Sequence, residues 1–278
     1  KKVNLTGAVD NVSGEVLTKR PVTNSGNLLQ GRLTGVDVIQ PTAEPGKENP
    51  IIQIRGRGTF GGSNDPLILI DGVSGSLNNL SPNDIESVSV LKDAASASIY
   101  GARAANGVIL VTTKKGKKGT PVITYSGNIS IQSPTMLPEV ITNSAEYMEM
   151  YNRAASRQGL AFRYDPGEIE TYRNPPDSLK DYYPNFDPYD YWYRNATVHN
   201  HNISVSGGGE NNMYNASFSY LNQNAMIPGY RFNRYNALIN YTLDINKWLT
   251  LGTLVNVTYK YDKKPPMHDV FLPLYITT

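Results

Sequence analysis

From residue 118 onward, apolar and polar residues alternate along the chain. Within 122–132, Ile123, Tyr125, Ile129 and Ile131 share one face, and Thr124, Ser126, Asn128, Ser130 and Gln132 take the other. Within 235–245 the apolar face is Tyr235, Ala237, Ile239, Tyr241, Leu243 and Ile245, opposed by Asn236, Asn240, Thr242 and Asp244. Residues 249–261 repeat the pattern with Leu249, Leu251, Val255, Val257, Tyr259 and Tyr261, and 213–226 with Tyr214, Ala216, Phe218 and Tyr220. Residues 198–208 show it more weakly, through Ile203 and Val205. A period of two predicts strands, here five of them. Their length of about ten residues is that of a tilted strand crossing a bilayer. A soluble β-sandwich alternates in the same way. The turns at 208–212 and 245–248 are short, whereas 134–197 is a very long connection.

Residues 1–117 follow another pattern, mixed α and β. Leu29 and Leu33, four apart and flanked by Leu28, predict a helix over 24–34 that Gly35 ends. Short strands are predicted at 36–40, 51–55 and 67–71. Ser81 followed by Pro82 predicts a helical start. Residues 84–114 then read as a strand at 87–92, a short helix capped by Asp93, a stop at Gly101 and a strand at 107–113.

That last stretch, with Ala94-Ala95-Ser96-Ala97-Ser98-Ile99-Tyr100-Gly101-Ala102-Arg103-Ala104-Ala105-Asn106-Gly107 at its centre, closely resembles the plug of SusC/RagA-like TonB-dependent outer-membrane transporters. Two more stretches match the same family in order: Ile-Gln-Ile-Arg-Gly-Arg-Gly at 52–58 and Pro-Leu-Ile-Leu-Ile-Asp-Gly-Val at 66–73. The resemblance implies an α+β plug domain over 1–117. It implies that 118–278 holds the N-terminal strands of a large antiparallel transmembrane β-barrel of about 22 strands. With short turns inside and long loops outside, 122–132 runs outward and 134–197 is the first external loop. Five strands cannot close a barrel, and an open apolar sheet is untenable in lipid or water. The chain is therefore expected to be the N-terminal part of a larger polypeptide. No signal peptide, N-terminal β-sandwich extension or TonB-contacting box is recognised before the plug.

Composition narrows this little. The 39% hydrophobic content and mean hydropathy of −0.40 suit a soluble protein and a barrel alike, since alternation keeps hydropathy low. Nineteen Tyr against six Phe suit strands ending at a membrane interface. A net charge of +2 carries no nucleic-acid footprint, and the basic run from Lys114 to Lys118 reads as a solvated connector. The absence of cysteine excludes disulfides and thiolate metal sites.

Candidate sites follow from the plug reading. The apices at 40–50, 57–66 and 73–83 are polar and turn-rich, and Phe60, Asn64 and Asn78 are the expected substrate contacts; solvation of the plug's upper surface is the plainer alternative. Arg55, Arg57 and Arg103 are expected to pair with carboxylates of the barrel wall. Asp71 and Gly72 read as a turn rather than a metal site, and Gly101 as a residue of positive φ. Tyr191 and Trp192, within an aromatic cluster beside Asp187 and Asp190, offer a sugar-stacking platform or simple loop packing. His199 and His201 share a face but lack further zinc ligands. No catalytic residue, metal or cofactor is expected.

The resemblance implies active import of an oligosaccharide or oligopeptide, with no bond made or broken. It implies a SusD-like surface lipoprotein as lid, energy from TonB–ExbB–ExbD, outer-membrane lipid around the barrel, and a higher assembly of transporter–lid pairs. A siderophore or corrinoid importer, and a soluble glycan-binding module, are the alternatives.

Overall fold

A computed structural model describes residues 9–19, 22–56, 64–93 and 97–264. The N-terminal part is built on a sheet of five strands. These are β1 (Val9–Ser13), β4 (Leu67–Ile70), β5 (Val73–Ser74), β6 (Ile85–Leu91) and β7 (Val108–Thr113), in the order β1-β6-β7-β4-β5. The β4–β7 pair is parallel and the others antiparallel. Helix α1 (Gly14–Thr18) follows β1, and a separate ribbon pairs β2 (Val36–Ile39) with β3 (Ile51–Ile54). Both bury alternate apolar side chains against one face of the sheet, where Leu17, Val36, Val38, Ile52 and Ile54 join Ile85, Val88 and Ile109. The other face carries Leu69, Leu91 and Val108 under Ala97 and Ala104.

The helix expected over 24–34 is only a 3-10 turn at Ser25–Leu29, capped by Asn24, whose side chain accepts from the Gly26 amide at 2.9 Å. Gly31 and Gly35 both take positive φ, which breaks the helical path. Ser81-Pro82 likewise opens only a 3-10 turn, Pro82–Asp84. The helix expected after Asp93 falls partly on residues 94–96, outside the described set. Two 3-10 turns follow, Ser98–Tyr100 and Ala102–Ala104. Gly101 joins them at φ 73°, ψ −162°, a region open essentially to glycine alone.

Five long antiparallel strands follow: β8 (Gly119–Gln132), β9 (Ala196–Gly208), β10 (Asn212–Asn224), β11 (Arg231–Asn246) and β12 (Leu249–Lys263), each paired with its chain neighbour. On β11 every second residue from Phe232 to Asn240 is buried, while Ile239 is 48% exposed. The buried face packs on the α+β part. The exposed face carries Ile203, Phe218, Ile239, Val255 and Val257. One register row crosses four of the strands on that exposed face, and a side chain of β8 reaches it. Tyr259, Tyr235, Tyr220 and His201 are direct partners across β12, β11, β10 and β9, and the Tyr125 hydroxyl of β8 lies 2.7 Å from His201 Nδ1. Ring centroids are 5.0 Å apart for Tyr220–Tyr235 and 6.1 Å for Tyr235–Tyr259. From Tyr235 to Ile245 is about 33 Å of strand, or about 25 Å of bilayer at a tilt of about 40°. A tyrosine row above an apolar band of that height is the girdle of a transmembrane barrel. No helix among the described residues is long and apolar enough to span a membrane.

The connector after β7 is more than solvated lysines. The Lys114 amide donates to the Asp84 carbonyl at 2.9 Å, and a Cβ on Gly116 would strike the Tyr214 backbone.

Residues 131–196 and 226–230 form a second compact unit. It holds α2 (Ser144–Arg157), α3 (Pro166–Arg173) and α4 (Pro188–Trp192), elements that the sequence pattern left as loop. Ala145 and Met148 of α2 bury against Ile169 of α3, and Arg173 bridges Glu149 and Glu170. Asn152 accepts from the amides of Arg163 and Tyr164 at 3.0 and 3.1 Å, closing the turn between the helices.

The exposed β11 face generates a direct test. Ile239→Arg puts a charge in the apolar band, which should cost about 2–4 kcal/mol near mid-membrane. Thr242→Arg on the opposite face should be tolerated. Heat-modifiable mobility of the full-length protein on gels reads assembly, and equal tolerance of both would refute the assignment of faces.

Candidate functional site

The chemistry of this chain is concentrated where the α+β part meets the buried face of β9–β12. Among the described residues three sets of contacts stand out. The 3-10 turn Leu77–Asn79 brings the Asn79 carbonyl against β11 and β12, where it accepts from Thr258 Oγ1 at 2.8 Å, Asn236 Nδ2 at 3.1 Å and Asn256 Nδ2 at 3.3 Å. The Asn79 side chain accepts from Lys260 Nζ at 2.9 Å. The second contact is Glu48, which accepts from the Thr23 hydroxyl and, at 2.7 Å, from Gln223 Nε2 of β10. The third is apolar: Leu238 of β11, fully buried, joins the same cluster as Leu77, Leu80 and Val88, with Leu254 packed beside it.

Backbone shape sets these contacts. Gly46 takes φ 79°, and a Cβ there would lie 2.8 Å from Phe232 Cε2. Glycine thus lets the 40–50 apex press on the β11 ring and carry Glu48 to Gln223. At the other end of the sheet, Asp71 and Gly72 take φ 47° and 88°, a two-residue hairpin turn linking Ile70 to Val73. The Asp71 carboxylate accepts from the Thr113 amide at 3.1 Å and from its hydroxyl, so the turn also braces β7. A small open cleft of about 10 Å³, room for about one water, is lined by Glu48, Asn24, Asn49, Asn78, Arg234 and Lys260 among others. Among the described residues no His, Asp and Glu group could hold a metal ion.

A globular plug seated on the inner face of a girdled sheet is the arrangement that the comparisons with known proteins also find. The family described as TonB-dependent Receptor Plug Domain matches residues 1–108. The TonB-dependent receptor SusC of Bacteroides thetaiotaomicron is 36% identical over 86% of this chain and 23% of its own length. The RagAB peptide importer in its open-open state superposes with a TM-score of 0.78 at 29% identity, covering 94% of this chain and 31% of that one. The ferric citrate transporter FecA, at 15% identity and a TM-score of 0.59 over 93% of this chain and 32% of its own, shares the fold. The chain is SusC/RagA-like and carries the plug of the TonB-dependent receptors. It is a plug followed by barrel strands, of the bacterial outer membrane, and it spans about a quarter of the length of the curated relatives it matches.

Within this transporter fold the residues singled out from sequence are scattered. Arg55, at φ 60°, pairs with Asp93, so it braces the plug internally rather than reaching a barrel carboxylate among the described residues. Arg103 is exposed on the turn Ala102–Ala104. Arg57 and Phe60 lie outside the described residues. Asn64 is half-buried, and Asn78 donates to Asn49 Oδ1 at 2.7 Å on the rim of the cleft. Tyr191 packs edge-on against Trp192 at 5.0 Å and tilts against Phe186 at 5.5 Å, within the second unit. The plug-holding residues that sequence reasoning missed are Glu48, Asn79, Gln223 and Leu238, with Arg234 beside them in the cleft. One signal was available: Leu238 breaks the polarity of the face that Asn236 and Asn240 define, and Arg234 places a charge on it.

Burial pushes the Glu48 carboxyl above the ordinary glutamate range, against the opposing pull of Thr23, Gln223 and the Arg234 charge. Burial also raises Asp84, which faces Ser217, Asn202, Lys114 and Arg234. Both folded values are raised, so docking favours the protonated forms. Their contribution is complete below the unfolded values and is lost as pH rises through the folded ones. The plug of the full-length protein should therefore need more force to extract at about pH 4.5 than at about pH 7.5. Glu48→Gln should lessen that difference and Glu48→Gln with Asp84→Asn should remove it, read by single-molecule pulling. Separately, Leu238→Ala should weaken plug docking by about 2–5 kcal/mol, seen as easier extraction with an unchanged barrel.

Proposed function

We propose that the full-length protein takes up a polar nutrient, an oligosaccharide or oligopeptide, across the outer membrane, with a SusD-like lipoprotein as lid and TonB–ExbB–ExbD as the source of work. The observation that carries this reading is the largely polar seam between plug and barrel. A pore wide enough for an oligomer must stay shut at rest, so the plug needs many contacts. It must also open under a pull from below, because the outer membrane has no nucleotide supply. Hydrogen bonds such as those to the Asn79 carbonyl contribute only about 0.5–1.5 kcal/mol each, and water in the lumen can replace them singly. Leu238 is the part of the seam that water cannot replace, and it sets a threshold against accidental opening.

The RagAB relative is a peptide importer and SusC a TonB-dependent receptor. These names support the import reading for this chain and leave peptide and glycan both open as cargo. The chain's own order also supports a pull from the plug's N-terminal side. β1 is an edge strand whose sheet partner is β6, through pairs from Val9–Leu91 to Ser13–Ser87, with Asp10 also taking Lys92 and Thr34. An edge strand can detach without opening the rest of the sheet.

The test is uptake. Cells carrying the full-length gene and its lid should accumulate labelled nutrient in a manner abolished by loss of TonB or collapse of the proton gradient. Uptake that survives both treatments would overturn the proposal.

A further inference from the structure

The cleft that Glu48 lines holds two cations, Arg234 and Lys260, against that one carboxylate. Arg234 of β11 is 4% exposed, its Nε is shut off from solvent without a hydrogen-bond partner, and its guanidinium makes no ion pair with any described residue. Its nearest carboxylates are otherwise engaged. Glu48 is held by Thr23 and Gln223, and Asp84 lies toward Ser217 and Asn202. Directly opposite Arg234 in the β11–β12 register is Lys260, another cation on the same lumenal face. Like charges facing each other across a strand pair are destabilising, and a buried guanidinium nitrogen left without a partner is costly. Lys260 spends one of its three donors on Asn79 Oδ1. Both cations line one cleft with Asn24, Asn49, Asn78 and the Glu48 carboxyl, which burial holds toward its neutral form, on the lumenal side and beside the level of the Tyr235 row.

We propose that this cleft is an anion subsite that holds a carboxylate of the imported molecule, with Arg234 giving the planar fork and Lys260 the second positive charge. A guanidinium presents parallel N–H donors that match the two oxygens of a carboxylate. The anion relieves the repulsion between Arg234 and Lys260. Asn78 and Asn49, joined to each other, leave amide groups on the rim for neighbouring hydroxyls or peptide groups. The inference rests on the import reading and adds what that reading lacks, a charge preference. The carboxylate could be a peptide C-terminus or a uronic acid, and both present the same two oxygens.

The experiment uses the full-length transporter purified in detergent with its lid. Calorimetry compares a seven-residue peptide with its C-terminally amidated form, and an oligogalacturonate with the neutral oligogalactose. The acid should bind about tenfold or more tightly than its neutral counterpart in at least one series; the series that shows it identifies the source. Lys260→Gln should reduce the preference and Arg234→Gln should abolish it. Lys260 is the safer variant for folding, since it is partly exposed at the rim. Equal affinity for acid and neutral forms, no binding in either series, or a preference that survives both substitutions would overturn the subsite. TonB-dependent uptake by the same wild-type cells is scored independently, so loss of the subsite leaves the import reading to its own test.

Discussion

Alternation along β11 (Arg231–Asn246) governs everything else in the transporter fold. One set of its side chains, from Tyr235 to Leu243, must satisfy lipid, and the other, from Phe232 to Asn240, must satisfy the plug. A shift of one residue in register would exchange the two sets at a stroke. The strand is held in place from both neighbours by an uninterrupted register with β10 and one broken only near Asn246 with β12. The tyrosine row confirms the alignment, since four strands present a ring or imidazole at the same level and the fifth reaches that level through the Tyr125 hydroxyl.

The inner face is mostly amide and hydroxyl, and that choice shapes the mechanics. An apolar inner face would bind the plug as a core binds a helix, and extraction would expose it all at once. A wholly charged face would demand partners for every group. Asparagine, serine and threonine give contacts that are geometrically specific and individually weak. The exceptions then stand out. Leu238 extends the plug's own core into the barrel wall, and Arg234 brings a charge that makes no ion pair among the described residues. The first resists opening, and the second awaits an anion.

The second unit solves a separate problem. A connection of this length would be unstable as open loop. Packing of Ala145, Met148 and Ile169, with Tyr151 edge-on to Tyr164 at 5.6 Å and Arg163 over both rings, gives it a small core of its own. The aromatic cluster around Tyr191 and Trp192 continues that packing through edge-on pairs, although Tyr191 remains largely exposed.

Strands and faces were legible in the amino-acid sequence because period-two alternation is a local property, written into each segment by the solvent on either side. The ordered plug motifs likewise carried the family, since Asp71-Gly72 and Gly101 demand their backbone conformations wherever they stand. Helical structure was read less well. The leucines over 24–34 have helical spacing, yet Gly26, Gly31 and Gly35 and the pull of the plug core made them a 3-10 turn. The pairing of charges was not legible at all. Arg55 was expected at the wall and turned to Asp93, while Glu48 and Arg234, 186 positions apart in the chain by their numbers, came to share a cleft. Sequence determines which residues want water, lipid or a tight turn. Which carboxylate meets which cation depends on distances between segments remote in the chain, and those distances exist only once the plug has docked on the sheet.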